Sequence, residues 1–163
     1  MKFKLSFLLV ICYLYSNSQS MSDNDYTVQI QKYDLHIKKN PNDYLTYFYR
    51  GVLKEEYNNY KEALEDYSKS IELNPLFDNG YTTRGALKYS LGDYRGAIID
   101  YTKAIELVPD SAYNYHLRGM AKVGIQDNRG AIIDYTKTIE LSPKDYGSYN
   151  NRGIAKANLD NFK

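Results

Sequence analysis

The side chains that could do chemistry in this chain are few, and most of them recur on a fixed step. His36 and His116 are the only histidines, and neither has a second ligand at His-x-x-x-His spacing. Cys12 is the only cysteine and stands in an apolar stretch near the start, so no thiol pair can form within the chain. No serine lies in a nucleophile-elbow context, and no glycine loop has the spacing that cradles a phosphate. Carboxylates are plentiful, yet they fall among outer-face lysines or in step with arginines. By the groups a site requires, the chain reads as non-enzymatic, without catalytic residues, metal or cofactor.

The arginines and aspartates form a ladder. Arg50, Arg84, Arg118 and Arg152 each precede a glycine, and Asp66, Asp100 and Asp134 each precede a tyrosine. Such a ladder can be a binding stripe, but buried charges are normally paired, so internal glue is the expected role. Setting Gly51 opposite Ala63 on an antiparallel partner places Asp66 opposite Phe48 rather than Arg50. Each aspartate is therefore expected to reach the arginine of the following unit: Asp66 with Arg84, Asp100 with Arg118, Asp134 with Arg152. Arg50 is expected to lack such a partner, because Lys32 occupies the equivalent upstream place.

The elements that position these residues follow from self-similarity. Tyr47-Phe48-Tyr49-Arg50-Gly51 returns as Tyr81-Thr82-Thr83-Arg84-Gly85, Tyr115-His116-Leu117-Arg118-Gly119 and Tyr149-Asn150-Asn151-Arg152-Gly153. Subtracting glycine numbers (85−51, 119−85, 153−119) gives 34 each time. Ala63, Ala97 and Ala131, Tyr67, Tyr101 and Tyr135, and Pro75, Pro109 and Pro143 keep the same step, with Tyr33 and Pro41 one step upstream. Each unit reads as two helices. Tyr47, Gly51 and Lys54 share one face of the first; a polar turn follows (Asn58-Asn59, Gly92-Asp93, Asp127-Asn128, Asp160-Asn161). The second helix carries Ala63, Leu64, Tyr67, Ile71 and Leu73 before Pro75 stops it. Asp43, Asp78, Ser111 and Asp145 stand where the next helix starts and are expected to cap it. A mid-helix glycine costs about 1 kcal/mol relative to alanine. Four of them on one step, with small alanines as partners, imply closely approaching helices.

This pattern resembles the tetratricopeptide repeat over roughly residues 26 to 163. Tyr stands for the usual Trp, Arg for the Leu before each Gly, and Lys54, Lys88, Lys122 and Lys156 for the next aromatic. The resemblance implies an all-α, right-handed superhelical solenoid of antiparallel helix pairs. Its expected organisation is a signal peptide (1–18), an N-terminal segment with a lone capping helix (19–43), three units (44–77, 78–111, 112–145) and a partial fourth with its first helix only (146–163). The array ends without the polar cap that such stacks need. A truncated longer array, or self-association through the uncapped C-terminal end, would account for that.

In this family the first helices line a concave groove that holds peptides or segments of partner proteins. Here the free face of each first helix is mostly apolar or aromatic, for example Leu45, Phe48 and Val52. The outer face of the first unit's second helix is charged (Lys61, Glu62, Glu65, Lys69, Glu72). An uncharged strip facing open space marks a binding surface. The expected contact residues are Phe48, Val52, Thr82, Tyr89, Tyr113, His116, Met120, Asn150 and Ile154, whose aromatic and Met members suit interface anchors. Phe48, Val52 and Thr82 stand where the family's chaperone-binding carboxylate clamp would need Lys, Asn and Asn, so that role is not expected. A protein or peptide ligand is expected, with an assembly role or service to a longer chain as the alternative.

Net charge and the N-terminus narrow the setting. The chain carries 21 Lys plus Arg against 20 Asp plus Glu, a balance that gives no electrostatic footprint for nucleic acid. Lys2 and Lys4 precede an apolar run from Leu5 to Tyr15, and Ser16-Asn17-Ser18 supplies small residues where a signal peptidase would cut. The run is shorter than the roughly 20 residues a spanning helix needs. Cleavage after Ser18 and export to a periplasmic or extracellular space are expected, without stable membrane insertion. Leu9-Val10-Ile11 before Cys12 do not suit lipidation.

Overall fold

The computed structural model describes residues 23–160. The expected leader, with Cys12 and the cleavage site, lies outside them, as do Asn161 and Phe162. The described residues form eight α-helices and no strand. In chain order they are α1 (Asp23–Lys39), α2 (Tyr44–Glu56), α3 (Tyr60–Leu73), α4 (Asp78–Ser90), α5 (Tyr94–Leu107), α6 (Ala112–Gly124), α7 (Asn128–Leu141) and α8 (Tyr146–Asp160). Each helix packs on the next, so α2–α3, α4–α5 and α6–α7 are the three pairs, flanked by α1 and α8.

Local chemistry sets the boundaries. α1, α3, α5 and α7 end two residues before Pro41, Pro75, Pro109 and Pro143, as a ring that cannot continue a helix requires. Asn58, Gly92 and Gln126, one per unit at the turn after each first helix, have φ of 62°, 83° and 63°. Asp43 and Ser111 cap α2 and α6 through their side chains, and the Asp145 carboxylate accepts from the Ser148 N–H at 2.9 Å. Asp78 does not cap. The residue in register with Asp43, Ser111 and Asp145 is Phe77, and α4 starts without a side-chain cap. The Phe77 ring instead packs edge-on against Tyr44 and Phe48.

The core is a series of small clusters. Ala63 and Tyr67 meet Leu87 of the following unit, Ala97 and Tyr101 meet Ala121, and Ala131 and Tyr135 meet Ala155. The recurrent glycines do lie at helix contacts, but their mates are not the alanines. A Cβ built on Gly51, Gly85 or Gly119 would stand 2.8 to 2.9 Å from the ring of Tyr67, Tyr101 or Tyr135. Ala63, Ala97 and Ala131 are wholly buried nearby, one helical turn before those rings.

That shift of one turn overturns the expected ladder. Arg50 pairs with Asp66, Arg84 with Asp100 and Arg118 with Asp134, all inside one unit and 16 positions apart. In each pair Nε and a terminal nitrogen donate to the two carboxylate oxygens, the bidentate geometry of a strong charge-assisted bond. Lys54, Lys88 and Lys122 add a second cation to the same aspartates at 2.7 to 2.8 Å. The remaining arginine nitrogen reaches back to the preceding second helix, at Asp34 for Arg50, Ser68 for Arg84, Thr102 for Arg118 and Thr136 for Arg152. Arg50 is thus doubly paired. Arg152 meets no carboxylate among the described residues.

Candidate protein-binding face

Four rows run along the free face of the first helices. Leu45, Asn79, Tyr113 and Gly147 form the outer row, and all four are exposed. Tyr113 is 63% exposed, the most open large apolar side chain of the expected contact set.

In the three complete units the other rows are largely engaged by packing on neighbouring helices. Phe48 packs against Phe77 and Tyr67 with ring centroids 5.0 and 5.6 Å apart. At the equivalent place the Thr82 hydroxyl donates to Asn114 Oδ1 at 2.9 Å, and His116 Nδ1 lies 2.6 Å from the Ser148 hydroxyl. These polar clasps join first helices of successive units, and the Asn114 and Ser148 side chains are buried to make them. Val52 and Met120 pack on the clusters around Tyr67 and Tyr135. Tyr89 packs on the Tyr101 cluster and meets Tyr94 edge-on at 5.2 Å. Of the nine expected contact residues, Tyr113, Asn150 and Ile154 are therefore open, while Phe48, Val52, Thr82, Tyr89, His116 and Met120 are half-buried between units.

Two surface features escaped the sequence reading. Tyr146, at the start of α8, is 79% exposed. Ile99 and Ile133 are exposed on α5 and α7 at the place of Glu65 in α3, so only the first unit has a fully charged outer face. Counting 34 onward from Glu65 finds both, since the arithmetic needs no structure.

Electrostatics beneath the face favour neutral tyrosine. Burial, then a hydrogen bond to the Glu55 carboxylate (2.6 Å), raises the Tyr67 hydroxyl well above its ordinary range. Burial raises Tyr101 as well and pushes Tyr135 up to about 12. Among the described residues no group of three or more His, Cys, Asp or Glu could hold a metal ion, and no helix is long and apolar enough to cross a membrane.

Residues 44–77 and 79–111, which hold the glycine–tyrosine contacts of Gly51 with Tyr67 and Gly85 with Tyr101, match the tetratricopeptide repeat. Those residues carry two tetratricopeptide repeats. Solved structures of similar fold include MamA (23% identity, TM-score 0.78, 84% of this chain and 75% of that one). The first tetratricopeptide domain of Spaghetti (RPAP3), bound to the HSP90 peptide SRMEEVD, shares 24% identity at a TM-score of 0.68, covering 72% of this chain and 93% of its own. The OM64 tetratricopeptide domain of Arabidopsis shares 20% at 0.65, covering 70% and 94%. No curated protein matches the sequence. The described residues form an all-α solenoid with the fold of tetratricopeptide proteins.

Proposed function

We propose that this solenoid is an exported, non-catalytic interaction module that binds an extended polypeptide segment along its first helices. The observation that carries the reading is the outer row. Leu45, Asn79 and Tyr113 stay open and uncharged in successive units, while in those three units the Phe48 and Val52 rows beside them are half-buried against neighbouring helices. Tyrosine offers large contact area for few rotatable bonds, so Tyr113 is the expected anchor. Tetratricopeptide folds of the same kind hold peptides, as the HSP90 peptide on RPAP3 illustrates.

Selection of displayed random peptides on the immobilised protein tests this. Enriched peptides should lose about tenfold in affinity on Tyr113→Ala, an open position whose truncation leaves the core intact. Peptides that bind the variant equally well, or a selection that enriches nothing, would sink the reading. Export rests on Lys2, Lys4 and the apolar run after them; N-terminal sequencing of protein recovered outside the cytoplasm should begin at Gln19.

A further inference from the structure

Each complete unit buries one tyrosine against a glycine, and in two of the three the chain supplies a partner for the hydroxyl. Tyr67 donates to the Glu55 carboxylate at 2.6 Å. The Asn151 side-chain amide bonds the Tyr135 hydroxyl. The middle unit has neither device. A step of 34 onward from Glu55 reaches Tyr89, and a step of 34 back from Asn151 reaches Leu117.

Tyr101 is 1% exposed, with its ring lying on Gly85. Its hydroxyl has no hydrogen-bond partner among the described residues. Nor is that hydroxyl sealed in, since among the described residues only Ser70 Oγ is both unpartnered and shut away from solvent. Tyr89 of α4 packs on the same cluster. Burial raises the Tyr101 hydroxyl most, and the Tyr113 and Tyr89 phenols, next in order, raise it further, which sets all three close together where α4 meets α6. A buried side chain whose polar end is left unmet calls for a partner.

We infer that this junction is a subsite for a carboxamide side chain, Asn or Gln, of the bound segment. The Tyr101 hydroxyl donates to the amide oxygen, with Tyr89 and Tyr113 flanking it. The assignment rests on the peptide-binding role proposed for the first helices and names the residue type that role selects. A carboxamide offers one acceptor group and two N–H donors, and every phenol can both donate and accept, so the two sets match. A carboxylate fits less well. Arg84 and Lys88 are both held by Asp100 beneath the ring, so its charge would be desolvated without a counter-ion. An apolar side chain would leave the hydroxyl unmet.

Displayed random peptides panned in parallel on the wild type and on Tyr101→Phe test this. The substitution removes one oxygen and keeps the buried ring. Peptides enriched on the wild type should share an Asn or Gln at one position and lose about fivefold in affinity on Tyr101→Phe. Replacing that amide residue by Leu should cost a similar factor on the wild type and nothing further on Tyr101→Phe. The free protein gives a second readout. Tyr101→Phe should leave the urea midpoint unchanged, whereas Tyr67→Phe, which breaks a bond already made, should lower it. Peptides that need Tyr113 yet bind Tyr101→Phe equally well overturn the inference and leave the peptide-binding role standing. So does a shared Asp or Glu in place of the amide. An equal fall in midpoint for both Phe variants overturns it as well, because the Tyr101 hydroxyl would then have a partner of its own. A selection that enriches nothing sinks the subsite and the groove together.

Discussion

The missing side chain of a helical glycine matters only where another atom uses its space, and here that space is used three times in four. Replacing glycine by alanine inside a helix gains about 1 kcal/mol of intrinsic propensity. At Gly51, Gly85 and Gly119 the new methyl would strike a buried tyrosine ring within 2.9 Å. Overpacking of that kind costs about 1–3 kcal/mol, and the ring cannot swing away because the adjacent aspartate is clamped by two cations. At Gly153 the methyl meets nothing among the described residues. One substitution therefore changes sign along the chain: Gly85→Ala should lower the urea midpoint, and Gly153→Ala should raise it. Destabilisation at all four sites would refute the steric account.

At the scale of helix pairs, the arginine–aspartate clasp holds a first helix to its own second helix. Asp100 is 1% exposed, and removing one partner of such a buried ion pair costs roughly 3–5 kcal/mol. A double-mutant cycle on Arg84 and Asp100 should show coupling of about 1 kcal/mol or more, whereas Arg84 and Asp66 should be additive within about 0.5 kcal/mol. The opposite result would restore the between-unit ladder that the sequence suggested. That error is instructive about what a sequence carries. Period, helix ends and turns were legible because glycine and proline act locally, though one cap was misplaced, since Phe77 rather than Asp78 stands before α4. The face of each helix was legible too, from spacing alone. The axial offset between two helices was not, since Ala63 and Tyr67 lie one turn apart on the same face and either could sit opposite Gly51. Likewise the second row of first-helix residues read as open. Nothing local to Thr82 or His116 announces that Asn114 and Ser148 of the next unit will bond them.

Taken as a whole array, the molecule buries one tyrosine of this kind in every complete unit, and their ionisation adds. Tyr67, Tyr101 and Tyr135 all have hydroxyls raised above the ordinary value of 10.0, chiefly by burial. In the unfolded chain they ionise near that ordinary value, so above it the unfolded state holds fewer protons than the folded one. Stability is then complete below about pH 10 and falls as pH climbs toward 12 and beyond. Thermal midpoints should drop steeply over that interval, and Tyr135→Phe should soften the drop. The side-chain bonds that tie the helices together also have a kinetic consequence. Arg84 to Asp100 spans 16 positions and Thr82 to Asn114 spans 32, so closing these contacts requires only short loops of chain. Rates of folding track such separations more than total length in small domains. A version lengthened by further units of the same design should therefore reach its native state about as fast as this one, each added stretch condensing on the surface left by the last.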